Sequence, residues 1–172
     1  PERRELQAAM LMDLLDACTA CPVLDGVLVV TSDPAAAELA AGYGTAVLPD
    51  HDPPRGMNPA VAVGQDHAAA RGYDAVLVLT ADLPLVEPDD LAAAVAAAPS
   101  GTPRVVIVPS RHGTGTNALL IGPPAAIPTR LGPDSRARHR AEAAAAGAHV
   151  VEIELPWVGL DIDTPADLAL LL

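Results

Sequence analysis

Two kinds of apolar run alternate along the chain, and the alternation predicts the architecture. From Glu2 to Cys18 apolar residues recur at helical spacing, at Leu6, Ala9, Met10, Met12, Leu14 and Leu15. The next apolar stretch, 27–30, is short and continuous, and Thr31-Ser32-Asp33-Pro34 ends it in the manner of a helix cap. A helix over 35–41 should stop at Gly42, followed by a short strand at 46–49. A loop rich in Pro, Gly and Asp covers 50–58, and an Ala-rich helix follows to Arg71. The run 75–79 is the clearest buried strand, leading into Thr80-Ala81-Asp82-Leu83-Pro84. Glu87-Pro88-Asp89-Asp90 should cap a helix to Ala98. Strands are expected at 104–108, 116–121 and 149–155, helices at 137–146 and from Thr164-Pro165 onward.

Because the strands are unbroken apolar runs alternating with helices, the expected fold class is α/β, a mostly parallel sheet covered on both faces. No internal repeat or linker interrupts the pattern, so residues 1–172 are expected to form one domain. In such sheets ligands bind at the carboxyl ends of the strands. That is where candidate chemistry is to be sought.

Composition narrows the picture. Apolar residues are 51 % of the chain and aromatics 2 %, with no Phe, so the core must be aliphatic. A formal net charge of −12 argues against nucleic acid as a partner, since no basic stripe could displace counterions from a phosphate backbone. A nucleotide ligand remains compatible, because carboxylates can recruit Mg²⁺, which then meets phosphates. No apolar run reaches the roughly 20 residues that span a bilayer, and no signal peptide is visible, so a cytoplasmic protein without membrane contact is expected. Cys18-Thr19-Ala20-Cys21 lacks a second pair or a nearby His, which favours two small buried residues over a redox or zinc site.

Two acidic segments stand out at strand ends. Asp82 follows the most buried strand, where a carboxylate can hold a divalent cation or merely cap a turn. In Leu160-Asp161-Ile162-Asp163-Thr164-Pro165 the two carboxylates share a face of extended chain while Ile162 packs inward. Asp163 or Thr164 could cap the helix that follows; Asp161 has no such role. An anion side is suggested by Gly113-Thr114-Gly115-Thr116-Asn117, whose glycines permit close approach and whose Thr and Asn side chains donate, although an ordinary bend reads the same way. The stretch Gly132-Pro133-Asp134-Ser135 enters a helix that Asp134 or Ser135 could cap, and exposed amides there suit an anion. Arg136, Arg138, His139 and Arg140 cluster in the first turns of that helix, either as a solvated face or as part of a pocket for a phosphate and a carboxylate.

Together, T-A-D-L-P at 80–84, G-T-N-A-L at 115–119, G-P-D-S-x-x-x-H at 132–139 and D-I-D-T-P-x-D-L at 161–168 resemble the CofC/FbiD family, guanylyltransferases of coenzyme F-420 biosynthesis. The resemblance runs from about Met10 to Leu172. It implies the Rossmann-like nucleotidyltransferase (nucleotide-diphospho-sugar transferase) fold, and Mg²⁺ held by Asp82, Asp161 and Asp163 as the catalytic set. It further implies that Thr116, Asn117, Gly132, Ser135 and His139 bind a phosphorylated three-carbon acid, and that Asn58, Asp82 and Pro84 lie on the nucleotide side. The implied substrates are GTP and, foremost, phosphoenolpyruvate, with 2-phospho-L-lactate and 3-phosphoglycerate as alternatives. The next enzyme of the pathway is an implied partner. Family members begin with a strand and a Lys/Arg loop around the triphosphate, whereas this chain starts within the following helix and has no Lys, so that strand and loop are expected to be missing. Competing readings are a CTP-dependent or molybdenum-cofactor nucleotidyltransferase, a non-catalytic interaction module and, more distantly, a redox protein built on Cys18 and Cys21.

Overall fold

The chain folds as alternating helices and strands whose limits follow the residue pattern closely. The computed structural model describes residues 2–162 and 164–169. Helix α1 (Glu2–Ala20) is followed by β1 (Leu28–Thr31), α2 (Pro34–Gly42), β2 (Ala46–Pro49), α3 (Met57–Ala70), β3 (Val76–Leu79) and α4 (Pro88–Ala96). Then come β4 (Arg104–Pro109), β5 (Thr116–Gly122), α5 (Ser135–Ala145), β6 (His149–Glu152) and the short α6 (Pro165–Leu168). The cap expected at Thr31–Pro34 is present: the Asp33 carboxylate accepts the Ala35 N–H at 2.9 Å, and Pro34 takes the first helical position.

The α/β class holds, and one strand of the larger sheet runs against the others. β1 and β2 form a parallel pair, and a four-stranded sheet runs in the order β3-β5-β4-β6. β4 and β6 are parallel neighbours and β5 is antiparallel to both of its own, so β3, β4 and β6 run one way and β5 the other. The sheet is therefore mostly parallel in strand direction, as expected, and mixed through one antiparallel strand set between β3 and β4. A continuous apolar run reports burial on both faces, not direction. Direction is set here by the short connection over residues 110–115, which can only return the chain antiparallel. β6 also ends three residues earlier than the apolar run suggested, at Glu152.

Helices cover both faces of this sheet, and strand alternation assigns the side chains. Val105 and Ile107 of β4, Leu119 and Ile121 of β5, and Val76 and Val78 of β3 pack with Ala143 of α5. Their alternates, Val108, Ala118, Leu77 and Leu79, pack with Leu14 and Ala17 of α1 and with Leu91 and Ala94 of α4. The small residues of α1, α4 and α5 let these helices sit close on a sheet without aromatics. β5 is buried along its whole length. A cleft is lined by residues of β1, β3, α1 and α3 and by Thr80, Ala81 and Asp82 after β3.

Truncation on β5 should therefore be costly. Leu119→Ala is expected to lose about 2–5 kcal/mol, read as a lower urea midpoint at unchanged slope. Val150→Ala on the exposed edge strand β6 should cost under about 1 kcal/mol in the same titration.

Candidate active site

The sheet brings the two acidic segments together at its carboxyl-terminal rim. β3 ends at Leu79, and the turn after it carries Asp82, whose carboxylate accepts the Thr80 hydroxyl. The Ile162 N–H donates to the Asp82 carbonyl at 3.1 Å, so the Asp161–Ile162 segment lies directly against the Asp82 turn. Ile162 is buried and pins that segment to the core, as its apolar position between two acids predicted. Asp161 is half-buried, and its carboxylate accepts from Asn117 Nδ2 at 3.2 Å. Asp163 lies outside the described residues. Among the described residues no group of three or more His, Cys, Asp or Glu side chains converges. Asp82 and Asp161 nonetheless supply hard oxygen donors from adjoining segments, and Mg²⁺ asks for no more than one or two carboxylates.

The start of β5 serves both sides of the site because its register slips there. Ala118 pairs with Val108, but Thr116 pairs with Pro109, so Asn117 is an extra residue opposite β4. Such a bulge breaks the up-down alternation and re-aims side chains. Asn117 then turns to the acidic side, donating to the Val158 carbonyl at 3.0 Å as well as to Asp161. Thr116 turns to α5, where its hydroxyl meets His139 Nδ1 at 3.0 Å. Both are buried. Asn117, expected to bind substrate, thus has both amide hydrogens engaged within the protein. The turn before β5 is equally constrained: Gly115 donates to Ser110 Oγ, and a Cβ at Gly115 would lie 2.7 Å from that oxygen.

On the anion side, Gly132 takes φ +111°, a conformation side-chain-bearing residues rarely adopt. Ser135 opens α5 and is buried, its N–H bonded to the Gly132 carbonyl, while the Arg136 N–H meets the Thr114 carbonyl at 3.1 Å. Asp134 occupies the cap position in left-handed geometry, with no capping bond from its side chain. The two loops of the anion side are thereby stitched to each other by backbone. The cationic cluster is largely engaged internally. Arg136 binds Glu152 and the Gly113 carbonyl, Arg140 also reaches Glu152, and Arg138 donates to the Pro133 carbonyl.

His139 is fully buried, and its Nε2 accepts the Arg130 backbone N–H at 2.8 Å. Burial, with the Arg138 charge next in weight, pushes its pKa down to about 4. Asn58 sits in the first turn of α3 and pairs both ways with Leu131, donating to its carbonyl at 3.0 Å and accepting its N–H at 2.7 Å. It therefore lies behind the Leu131–Gly132 turn. Pro84 is half-buried in the turn between Asp82 and α4. Gln65 was not singled out from the sequence, yet it is buried and donates to the carbonyls of Pro124 and Ile127. Its signal was available: Gln65 lies seven residues, two helical turns, past Asn58 on an otherwise Ala-rich helix. Asp167 stood out in the sequence only as part of the 161–168 motif. It ties α6 to the 110–115 turn through Arg111 and accepts from Thr164. The two cysteines are buried and unlinked, and burial, then Cys21, raises the Cys18 thiol to about 11, which disfavours its thiolate at neutral pH.

The whole chain, residues 1–172, matches the family model described as guanylyl transferase CofC like. A phosphoenolpyruvate guanylyltransferase from Conexibacter woesei is 45 % identical over 167 residues, covering 96 % of this chain and 74 % of that protein. One from Sphaerobacter thermophilus is 40 % identical, covering 97 % and 79 %. Among solved structures, a nucleotidyl transferase from Methanothermobacter thermautotroptrophicus superposes with a TM-score of 0.69 at 20 % identity, over 94 % of this chain and 78 % of that one. A cytidylyltransferase from Leptospira borgpetersenii gives 0.64 at 16 %, over 94 % and 73 %. At such identities the structures establish the nucleotidyltransferase-type fold.

The buried His139 predicts a pH dependence of stability. Its folded pKa near 4 lies below the unfolded value of 6.5, so between these values the unfolded chain binds more protons. The neutral ring's contribution is complete above pH 6.5 and drains away as pH falls to 4, by up to about 3 kcal/mol. Urea titrations from pH 7 to 4 should show wild type losing stability more steeply than His139→Gln, the gap opening below pH 6.5.

Proposed function

The chain belongs to the CofC-like guanylyl transferase family, and from that premise we propose that it transfers GMP from GTP to phosphoenolpyruvate, with release of pyrophosphate, in coenzyme F-420 biosynthesis. A phosphate oxygen of the acid attacks the α-phosphorus of GTP. The new P–O bond forms as the bond to the β-phosphate bridging oxygen breaks, and the electron pair leaves with pyrophosphate. No protein nucleophile is needed; positioning and charge stabilisation carry such a step.

The observation that carries this reading is the Ile162–Asp82 backbone bond, which sets Asp161 beside the Asp82 turn at the strand ends. In this reading Asp82, Asp161 and Asp163 hold Mg²⁺. When bound, the ion neutralises phosphate charge and aligns the reacting groups. Asn117 holds the Asp161 carboxylate in place from the bulge. Thr116, Gly132 and Ser135 receive the acid, their hydroxyl and backbone groups meeting its oxygens. Asp82 and Pro84 border the nucleotide, and Asn58 supports the acid side from behind. Because so many arginines are engaged internally, specificity for the acid rests on shape and neutral donors as much as on charge. The relatives' names support phosphoenolpyruvate over 2-phospho-L-lactate and 3-phosphoglycerate, which differ from it by few atoms. The substrates are small and water-soluble, and no helix among the described residues is long and apolar enough to cross a membrane, which suits work in the cytoplasm. The product would pass to the next enzyme of the pathway.

The test is a coupled assay on full-length protein with GTP, each of the three acids, and the downstream enzyme with its deazaflavin acceptor to draw off product. Pyrophosphate should appear with phosphoenolpyruvate, stop when EDTA is added and resume with Mg²⁺. Asp82→Asn and Asp161→Asn should each lower kcat by about a hundredfold or more. Absence of turnover with all three acids would refute the assignment.

A further inference from the structure

We propose that Asn58 and His139 are positioning residues, which hold the Arg130–Gly132 turn and the Thr116 hydroxyl in the geometry that receives the acid, without touching it themselves. This rests on the reading above that Thr116, Gly132 and Ser135 form the acid subsite.

The hydrogen bonds leave His139 one tautomer. The Arg130 backbone N–H can only donate, so Nε2, which faces it at 2.8 Å, must be the acceptor. In a neutral ring the proton then sits on Nδ1, which must donate to Thr116 Oγ1 at 3.0 Å. The Thr116 oxygen is therefore an acceptor towards His139, and its own proton is directed to another partner. A hydroxyl fixed in this way presents a donor to an anionic oxygen. With a doubly protonated ring the Arg130 bond would be lost, but burial keeps the ring neutral at working pH.

Asn58 acts on the same turn one residue further along. Its amide matches both the N–H and the C=O of Leu131, as a neighbouring strand would. Arg130 and Leu131 are thus each held by a side chain, immediately before Gly132, whose backbone takes a conformation that glycine alone adopts readily. Gln65 fixes the same chain upstream, at Pro124 and Ile127. Side chains of both α3 and α5 therefore hold the 124–132 return. With no backbone partners of its own from a sheet, this turn would otherwise have to be ordered on binding, and that ordering would weaken affinity.

Steady-state kinetics with separate KM values for the two substrates tests this on full-length enzyme. Gln at 139 can still accept from Arg130 and Asn at 139 can still donate to Thr116, whereas Ala does neither. His139→Gln and His139→Asn should each raise KM for phosphoenolpyruvate roughly five- to tenfold, and His139→Ala more, with KM for GTP and saturated kcat within about twofold of wild type. Asn58→Ser should raise the same KM by a similar factor. If His139→Ala does not fold, judged by its urea midpoint, the Gln, Asn and Ser variants carry the test. Equal effects on both KM values, a fall in kcat with KM for the acid unchanged, or an Ala variant no worse than Gln and Asn would overturn the positioning role. Thr116→Val with an unchanged KM for the acid would instead sink the subsite assignment, so the two failures are distinguishable.

Discussion

The one-residue slip at the start of β5 is the constraint on which the site depends. β5 lies between β3 and β4 with every residue buried, so its register cannot drift without turning the core inside out. Within that fixed frame the extra residue at Asn117 sends two consecutive polar side chains to different places. Asn117 reaches Asp161 and the Val158 carbonyl; Thr116 reaches His139. A strand in strict alternation would also separate them, but would swap their destinations, placing Asn117 towards α5 with Leu119 and Ile121. The bulge thus links the acidic and anion sides through two adjacent residues. Both halves of the site are thereby anchored on a strand buried along its whole length.

Much of this was legible in the sequence, because burial and punctuation leave clear marks. The limits of α2, β2, β3 and β5 fall within a residue or two of those read from apolar runs and from Pro, Gly and Asp positions. The family resemblance followed from the order of four motifs, and the whole chain matches the family model. Asp82 lies just past a strand end, as the rule for ligand sites in such sheets suggests, whereas Asp161 reaches it from irregular chain well beyond β6. The reversal of β5 did not follow, since a buried apolar run reads identically in either sense. The bulge was not read, although Gly115 before Thr116 and Pro109 opposite it are the residue types that mark such irregularities.

Partnerships between distant side chains were the other illegible part. Nothing local distinguishes a His that accepts from a backbone amide from a His that meets a ligand, and His139 sits among arginines that invite the second reading. The same holds for Asn58, whose partner is 73 residues away. Buried polar groups nonetheless obey a rule the sequence can suggest: an Asn, Gln or His on the covered face of an Ala-rich helix must find a partner, and irregular chain is rich in unpaired backbone. Asn58, Gln65 and His139 each satisfy carbonyls or amides of the 124–132 return.

Electrostatics then acquires a definite division of labour. The protein carries −12 formal charges and ten arginines, yet is read as binding a triphosphate and a phosphorylated acid. Four of those arginines, at 111, 130, 136 and 140, form ion pairs with Asp167, Glu142 and Glu152, and a fifth, Arg138, binds a carbonyl. These pairs fasten α5, β6, α6 and the 110–115 turn around the site, and each such contact lowers the field its guanidinium offers to an anion. On the proposed reading, attraction for the phosphates must then come chiefly from a divalent cation gathered by the strand-end carboxylates, with fixed neutral donors selecting the acid. An arrangement of that kind makes affinity for the nucleotide depend on the metal and affinity for the acid depend on loop geometry, two properties that selection could adjust independently.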